Sequence, residues 1–334
     1  MAAGDRVEGS SDIGMDILER NRGQGNLSDR VTLLSGGVGG ARLARGVLAA
    51  TRPEQLTIVT NVGDDEDVYG LHVSPDLDTV LYTLAGVEGS EGWGLAGDEF
   101  RVLDHLASLG EDTRFRIGDR DLATNMFRTR ALRAGTRLSE ITAKLVEAFG
   151  LSVELLPATD DRLRTKVRTS DDKWRSFQEY FVLRGHQDEV AELHFEGADR
   201  AQPAPGVVEG IEDSGTAVIA PSNPPLSIWP ILAVPGIREA LKRAPRVIAV
   251  SPLFKGRALK GPADRVLRSL GLPEGNQGVV AAYERLLTDF VIDIGDATDA
   301  EELAGLGMRV HVTDTRLTHV DAAARFATWM LALP

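Results

Sequence analysis

The chain has 334 residues, 43% of them hydrophobic and 26% charged, with a formal net charge of −13 and no cysteine. That length can bury a sizeable core in one large or two smaller domains. The acidity argues against a protein that coats nucleic acid or an anionic membrane, and the missing thiols exclude disulfides, thiolate metal sites, iron–sulfur clusters and a cysteine nucleophile.

Residues 1–29, rich in Gly, Ser and charge, read as a flexible extension with a short helix around Met15–Arg20. They lack the apolar stretch of a signal peptide, and no apolar run reaches the ~20 residues of a membrane span, so a cytoplasmic location is expected. "RVTLLS" (Arg30–Ser35) is a buried strand, Gly40–Thr51 a helix, and "QLTIVTN" (Gln55–Asn61) a second strand. Strand, turn, helix, strand is a βαβ unit, which predicts a doubly wound, mostly parallel Rossmann-like sheet.

The turn between them, "SGGVGGA", carries Gly36, Gly37, Val38, Gly39 and Gly40. Free backbone N–H groups and the helix dipole at such a place form an anion site, and glycine lets a phosphate come close. The loop is not a Walker A motif, since no Gly-Lys-Ser/Thr follows. It also lacks the third glycine of a dinucleotide fingerprint, where Arg42 stands, and the second strand ends in Asn61 rather than an acidic residue. A tight β–α corner is the plain alternative.

Asp64, Asp65, Glu66 and Asp67 follow the second strand, and Asp76 and Asp78 come shortly after. Ser74-Pro75-Asp76 opens a helix to about Ala85, with Asp76 facing the dipole and Asp78 turned inward as the working residue. Hard carboxylate oxygens beside a phosphate cradle suit Mg²⁺, for which Asp64 and Asp78 are the candidate ligands. For the acidic run the plain alternative is a solvated loop.

Three helices are expected at Leu95–Leu109, Leu122–Ala134 and Leu138–Phe149. "RIGDRDLAT" places Arg116, Asp119, Arg120 and Asp121 before the second of these, with Asp121 as its N-cap. Ser152–Leu155, Arg164–Thr169, Ser176–Leu183 and Val190–Phe195 alternate as short antiparallel strands, so a subdomain is expected to be inserted at about 110–210 within a single α/β domain over 30–334. The α/β rhythm then returns, with strands in "TAVIA", "RVIAV", "FVIDIG" and "MRVHVT". Helices are expected at Leu226–Arg243, Ala263–Leu270, Val279–Leu287 and Val320–Leu333. Ser222 and Asn223 in "APSNPP" could read a phosphate or base edge; a proline-rich turn explains them equally well. Ser251, Lys255, Arg257 and Lys260 follow a strand end and suggest an anion, with a solvated basic loop as the alternative. The six histidines show no metal-ligand spacing and read as structural.

Taken in order, "SGGVGGAR", "NVGDD", "SPDLDTVLY", "GDRDLAT", "LLPATDD", "APSNPPLSI" and "VSPL" with "KGPA" resemble the 2-phospho-L-lactate transferase family of coenzyme F420 assembly, from about Val31 to the end. The resemblance implies a Mg²⁺-dependent enzyme that takes a lactyl- or enolpyruvyl-diphospho-guanosine donor and a deazaflavin acceptor, Fo. The ribityl hydroxyl of Fo attacks the phosphate bearing the acid, and GMP leaves. Matched motif by motif, Asp78 and Arg116 contact Fo; the residues read above as anion contacts, Gly36–Gly40, Ser222, Asn223 and Lys255, are then expected to serve the donor. Asp78 is then a metal ligand, a base or an orienting acceptor. "GGVGGAR" in place of the archaeal-type "GGTGTPK" leaves open whether 2-phospholactate, phosphoenolpyruvate or another phospho-acid is used. A homodimer is expected. Two other classes compete: a non-catalytic nucleotide-sugar-binding regulator on the same fold, and an NAD-dependent oxidoreductase.

Overall fold

Seven strands of the computed structural model, which describes residues 29–334, form one all-parallel sheet. They are β1 (Val31–Ser35), β2 (Leu56–Thr60), β3 (Glu154–Pro157), β4 (Thr216–Ile219), β5 (Val247–Val250), β6 (Asp289–Asp293) and β7 (Arg309–Thr313). Their spatial order is β7-β6-β5-β4-β1-β2-β3. β1, β5 and β6 are buried throughout, as strands covered on both faces by helices must be. The doubly wound, Rossmann-like class expected from the sequence is what forms.

Winding reverses at β1, which pairs with β2 on one side and β4 on the other. A crevice opens at such a point, outside the carboxyl ends of the strands. Three helices shape it: α1 (Gly37–Ala50), α2 (Pro75–Leu84) and α3 (Asp119–Arg133). On one face of the sheet, Leu43 and Val47 of α1 and Val80 and Leu81 of α2 pack with Phe326 and Met330 of the C-terminal helix Val320–Leu331. The other face carries Ile231, Ile237, Leu241 and Val279.

The expected helix at Met15–Arg20 lies outside the described residues. Elsewhere several boundaries differ, each for a local reason. The segment expected as an antiparallel strand at Ser152–Leu155 is β3, the parallel edge of the main sheet. Ser176–Leu183 is not one strand but the end of Trp174–Ser176 followed by a wide helical turn at Glu179–Leu183. Phe177 and Phe181, four apart, stack with ring centroids 5.3 Å apart, a spacing that helical backbone satisfies and a strand does not. The expected helix Leu226–Arg243 is split into Pro224–Ile228, Trp229–Leu232 and Ile237–Arg243, because Pro230 and the Pro235-Gly236 pair interrupt the hydrogen-bond ladder. Leu95–Leu109 is helical only over Arg101–Ser108. The solvated loop offered as the plain alternative for the acidic run is in part a hairpin: Glu66–Val68 pairs antiparallel with Leu71–Val73 around Tyr69 and Gly70, both at positive φ.

Arg164–Thr169, Trp174–Ser176 and Val190–Glu196 form the separate antiparallel sheet. Val167, Phe177, Tyr180 and Val190 anchor it to the body through Leu226 and Val266. Among the described residues no helix is long and apolar enough to cross a membrane.

Candidate active site

The loops after β1 and β4 meet at the switch point and open a cavity of about 620 Å³. It is lined by the glycine turn, the first turns of α2 and α3, Phe177 and Phe181 of the antiparallel unit, and the loops after β5 and β7.

Helix α1 begins earlier than the sequence suggested, at Gly37, so the glycines form its first turn. Gly37 has φ +65°, and a Cβ on Gly39 would lie 2.5 Å from the carbonyl oxygen of Pro221. Both positions therefore require glycine. Two of the turn's N–H groups are already used: Gly36 donates to Ser222 Oγ at 3.2 Å and Gly37 to Asp76 Oδ1 at 2.7 Å. Val38 and Gly39, next in the turn, have no intrahelical acceptor and line the cavity, which leaves them for an anion. Ser222 also donates to the carbonyl of Gly36 at 2.7 Å, so it braces the turn. Asn223 caps Pro224–Ile228, accepting from Leu226 N–H at 3.2 Å, while its buried Nδ2 has no partner and belongs to the cavity wall.

Asn61 organises the carboxylates. Its amide donates to Asp64 Oδ1 at 3.2 Å and Asp76 Oδ2 at 2.9 Å, and its Oδ1 accepts from Gly63 N–H at 2.8 Å. Asp76 N–H donates to Asp64 Oδ2 at 3.0 Å, and Gln178 Nε2 to the Asp64 carbonyl at 2.6 Å. Burial pushes Asp64 well above the usual carboxylate range, and the charges of Asp76 and Asp65 add to this. Burial also raises Asp76, to about 6, against the hydrogen bonds from Asn61, Gly37 and Ser227. Asp65 turns away, its Oδ2 2.8 Å from His72 Nε2 and accepting from Ser74 Oγ at 2.9 Å. Asp67 is exposed and 3.3 Å from Arg162.

Asp76 and Asp78 both face inward, although they are two apart on α2. The sequence left one of them for the dipole or solvent. Asp76 instead bonds across to α1, which frees it from its own helix. Asp78 forms an ion pair with Arg128, a fully buried α3 residue that also donates to Asn125 Oδ1 at 2.6 Å. Burial raises the Asp78 carboxyl and Arg128 opposes the rise. The second oxygen, Asp78 Oδ2, is buried without a partner.

Asp121 is not the N-cap the sequence suggested. It is the third residue of α3, and Asp98 takes the N–H groups of Arg120 and Asp121 at 2.9 and 3.0 Å. Its Oδ1 accepts from Tyr82 Oη at 2.8 Å and Asn125 Nδ2 at 3.2 Å, and it lines the cavity.

Arg42, Arg114, Arg116, Lys260 and Arg316 also line the cavity. Arg114, Lys260 and Arg316 have carboxylate neighbours at 2.6, 3.5 and 2.8 Å. Among the described residues, Arg42 and Arg116 have none; Arg116 lies over the Phe100 ring at 4.1 Å. Lys255 is not among the lining residues, since its side chain lies against Gly295 and its N–H bonds Asp296 at 3.0 Å. Arg257 and Arg120 are likewise outside, and Ser251 is buried on Asn276. Sequence reasoning missed Arg128, Tyr82, Trp93, Phe177 and Phe181. Only the i, i+4 pairs Asp78/Tyr82 and Phe177/Phe181 carried a signal. Among the described residues no group of three or more side chains is placed as a ready metal cage.

Fold and site together define a class: a Rossmann-like α/β protein whose switch-point cavity joins a backbone anion cradle to buried carboxylates and unpaired arginines. The chain belongs to the CofD family, 2-phospho-L-lactate transferase, whose profile matches residues 31–321. It is 42% identical over 314 residues to a phosphoenolpyruvate transferase of Kitasatospora aureofaciens, covering 91% of this chain and 97% of that one. A 2-phospho-L-lactate transferase of Methanosarcina acetivorans is 36% identical, over 90% and 98% of the two chains. The fold is shared with a crystal structure of a UPF0052-family protein from Bacillus halodurans at a TM-score of 0.61 and 17% identity, covering 91% of this chain and 99% of that one. The chain is therefore a transferase of the 2-phospho-L-lactate/phosphoenolpyruvate type.

Proposed function

We propose that this transferase moves a phospho-acid group from a guanosine diphosphate-linked donor to the terminal ribityl hydroxyl of Fo, releasing GMP. The observation that carries the reading is the union, in one cavity, of the α1 anion cradle with Asp78 and Arg116. The Val38 and Gly39 N–H groups and Arg42 receive the donor's phosphates, and the unpaired Asn223 amide a further acceptor on the nucleotide. Trp93, Phe177 and Phe181 supply apolar faces for a flat ring. Asp78 Oδ2, buried and left without a partner while Arg128 holds the other oxygen, accepts from an acceptor hydroxyl, and Arg116 holds the other end. Because Asn61 is committed to Asp64 and Asp76, β2 offers no acidic partner for the ribose of a dinucleotide.

Asp64 and Asp76 fit a magnesium ion, since the first is buried and the second half-buried, neither has a cation beside it among the described residues, and both resist their own charge. Asp78, the other ligand expected from the sequence, already has Arg128 as its counter-ion, so we assign the second position to Asp76. A bound Mg²⁺ would supply charge neutralisation on phosphate oxygens, with waters completing its shell. The rest of the catalysis is positioning and electrostatic stabilisation by this chain's own N–H groups and arginines.

The actinobacterial relatives named phosphoenolpyruvate transferases support phosphoenolpyruvate as the acid. The test is mass spectrometry of the product formed from Fo, GTP, Mg²⁺ and a panel of phospho-acids, with a guanylyltransferase to make the donor. An Fo adduct with enolpyruvyl phosphate is expected. Absence of any Fo phosphodiester across the panel would overturn the reading.

A further inference from the structure

Asp78 and Asp121 share one wall of the cavity in opposite surroundings. Asp78 is balanced by Arg128. Asp121 has no cation bonded to it, and its Oδ1 is held by Tyr82 and Asn125 while Oδ2 takes no hydrogen bond among the described residues. A general base needs a free lone pair, a group that orients it, and a charge no counter-ion has spent.

We propose that Asp121, rather than Asp78, is the catalytic base that takes the proton from the attacking hydroxyl of the acceptor. The assignment rests on the transfer reading above. In the step, the hydroxyl oxygen bonds to the phosphorus that bears the acid. The bond from that phosphorus to the bridging oxygen breaks, and its electron pair leaves on GMP. The hydroxyl proton passes to Asp121 Oδ2. Asp78 Oδ2 then orients the hydroxyl without accepting its proton.

The surroundings agree with this division. Burial first, then the charge of Asp78 on α2, push Asp121 up to about 7; Tyr82 on α2 and Arg128 on α3 itself oppose the rise, and Asp98 from the preceding loop adds to it. A base that titrates near the working pH combines availability with driving force.

The test is the pH profile of kcat and of kcat/KM for Fo, with Fo affinity measured separately by fluorescence. The wild type is expected to gain activity as pH rises through an apparent pKa near 7. Asp121→Asn should lose that limb and lower kcat by about 10²–10⁴-fold, with Fo affinity changed less than about threefold. Tyr82→Phe removes a hydrogen bond to the ionised carboxylate, so the limb should move to higher pH with its plateau retained. An Asp121→Asn variant that keeps the wild-type limb, or that loses Fo affinity in step with kcat, overturns the assignment. Should that variant not fold, an unmoved limb in Tyr82→Phe overturns it instead. A wild type that releases no GMP removes the transfer reading, whereas full activity in Asp121→Asn removes only the base.

Discussion

Arg128 has no contact with solvent, yet it carries a charge matched by a single carboxylate, Asp78. From the sequence, Asp78→Asn looks like a clean functional probe, because nothing marks a partner for it. Arg128 sits among Asn125, Thr129 and Arg130 in a polar stretch that reads as a solvated helix face, and only the packing of α3 against α2 turns it inward. The pair changes the expectation. Removing either member strands a buried charge, at a cost of about 3–5 kcal/mol, while replacing both with apolar groups is often neutral. Urea denaturation should therefore show Asp78→Asn and Arg128→Met each markedly destabilised. The double variant Asp78→Leu/Arg128→Met should recover most of the loss while remaining inactive. A stable Arg128→Met would mean the pair is solvated. That Asp78 and Arg116 would face one cavity was legible because short motifs carried them; the buried contacts of Arg128, Tyr82 and Asp121 were not, because they depend on which helix packs across.

At the scale of elements, the βαβ start and the alternation of strand and helix were legible, since parallel strands buried on both faces are plain apolar runs. What failed were the places where two periods compete or a breaker sits inside a run. Ser176–Leu183 alternates like a strand but is bent by the stacking of Phe177 on Phe181. The expected helix at Leu226–Arg243 contains two prolines that cut it. The glycine turn, read from the sequence as a phosphate cradle or a tight corner, also packs against chain: Gly39 lies on the Pro221 carbonyl just past β4, a contact the sequence did not name. Gly39→Ala must push that carbonyl or the α1 terminus aside, an overpacking cost of about 1–3 kcal/mol. Calorimetry should show weaker binding of GDP, as a donor mimic, with Fo affinity unchanged. Equal weakening of both ligands would place the turn's role elsewhere.

Across the whole molecule, the cavity and the main ionic anchor lie at opposite ends of the sheet. Asp289, at the amino end of β6 and fully buried, accepts from Arg246 at 2.9 and 3.0 Å and from Arg309 at 2.8 Å, and lies 2.8 Å from His311. Burial works against its charge, but these hydrogen bonds, Thr288 included, hold the carboxyl far below its ordinary 3.8. A carboxylate lowered in the folded state stabilises above its unfolded pKa and loses that contribution as pH falls through the folded one. Asp289→Asn should thus lower Tm at pH 7 and much less at acid pH, leaving KM for Fo unchanged because the cavity is remote; an equal loss at both pH values would contradict the linkage. In a chain of net charge −13, Arg42 and Arg116, which line the cavity with no carboxylate partner among the described residues, give it a local positive field that favours an anionic ligand.

The central claim, attack on the acid-bearing phosphorus, is tested most directly by identifying and counting the nucleotide released as Fo is consumed. The account predicts one GMP per Fo converted. Release of GDP, or nucleotide release that proceeds without Fo, would contradict it.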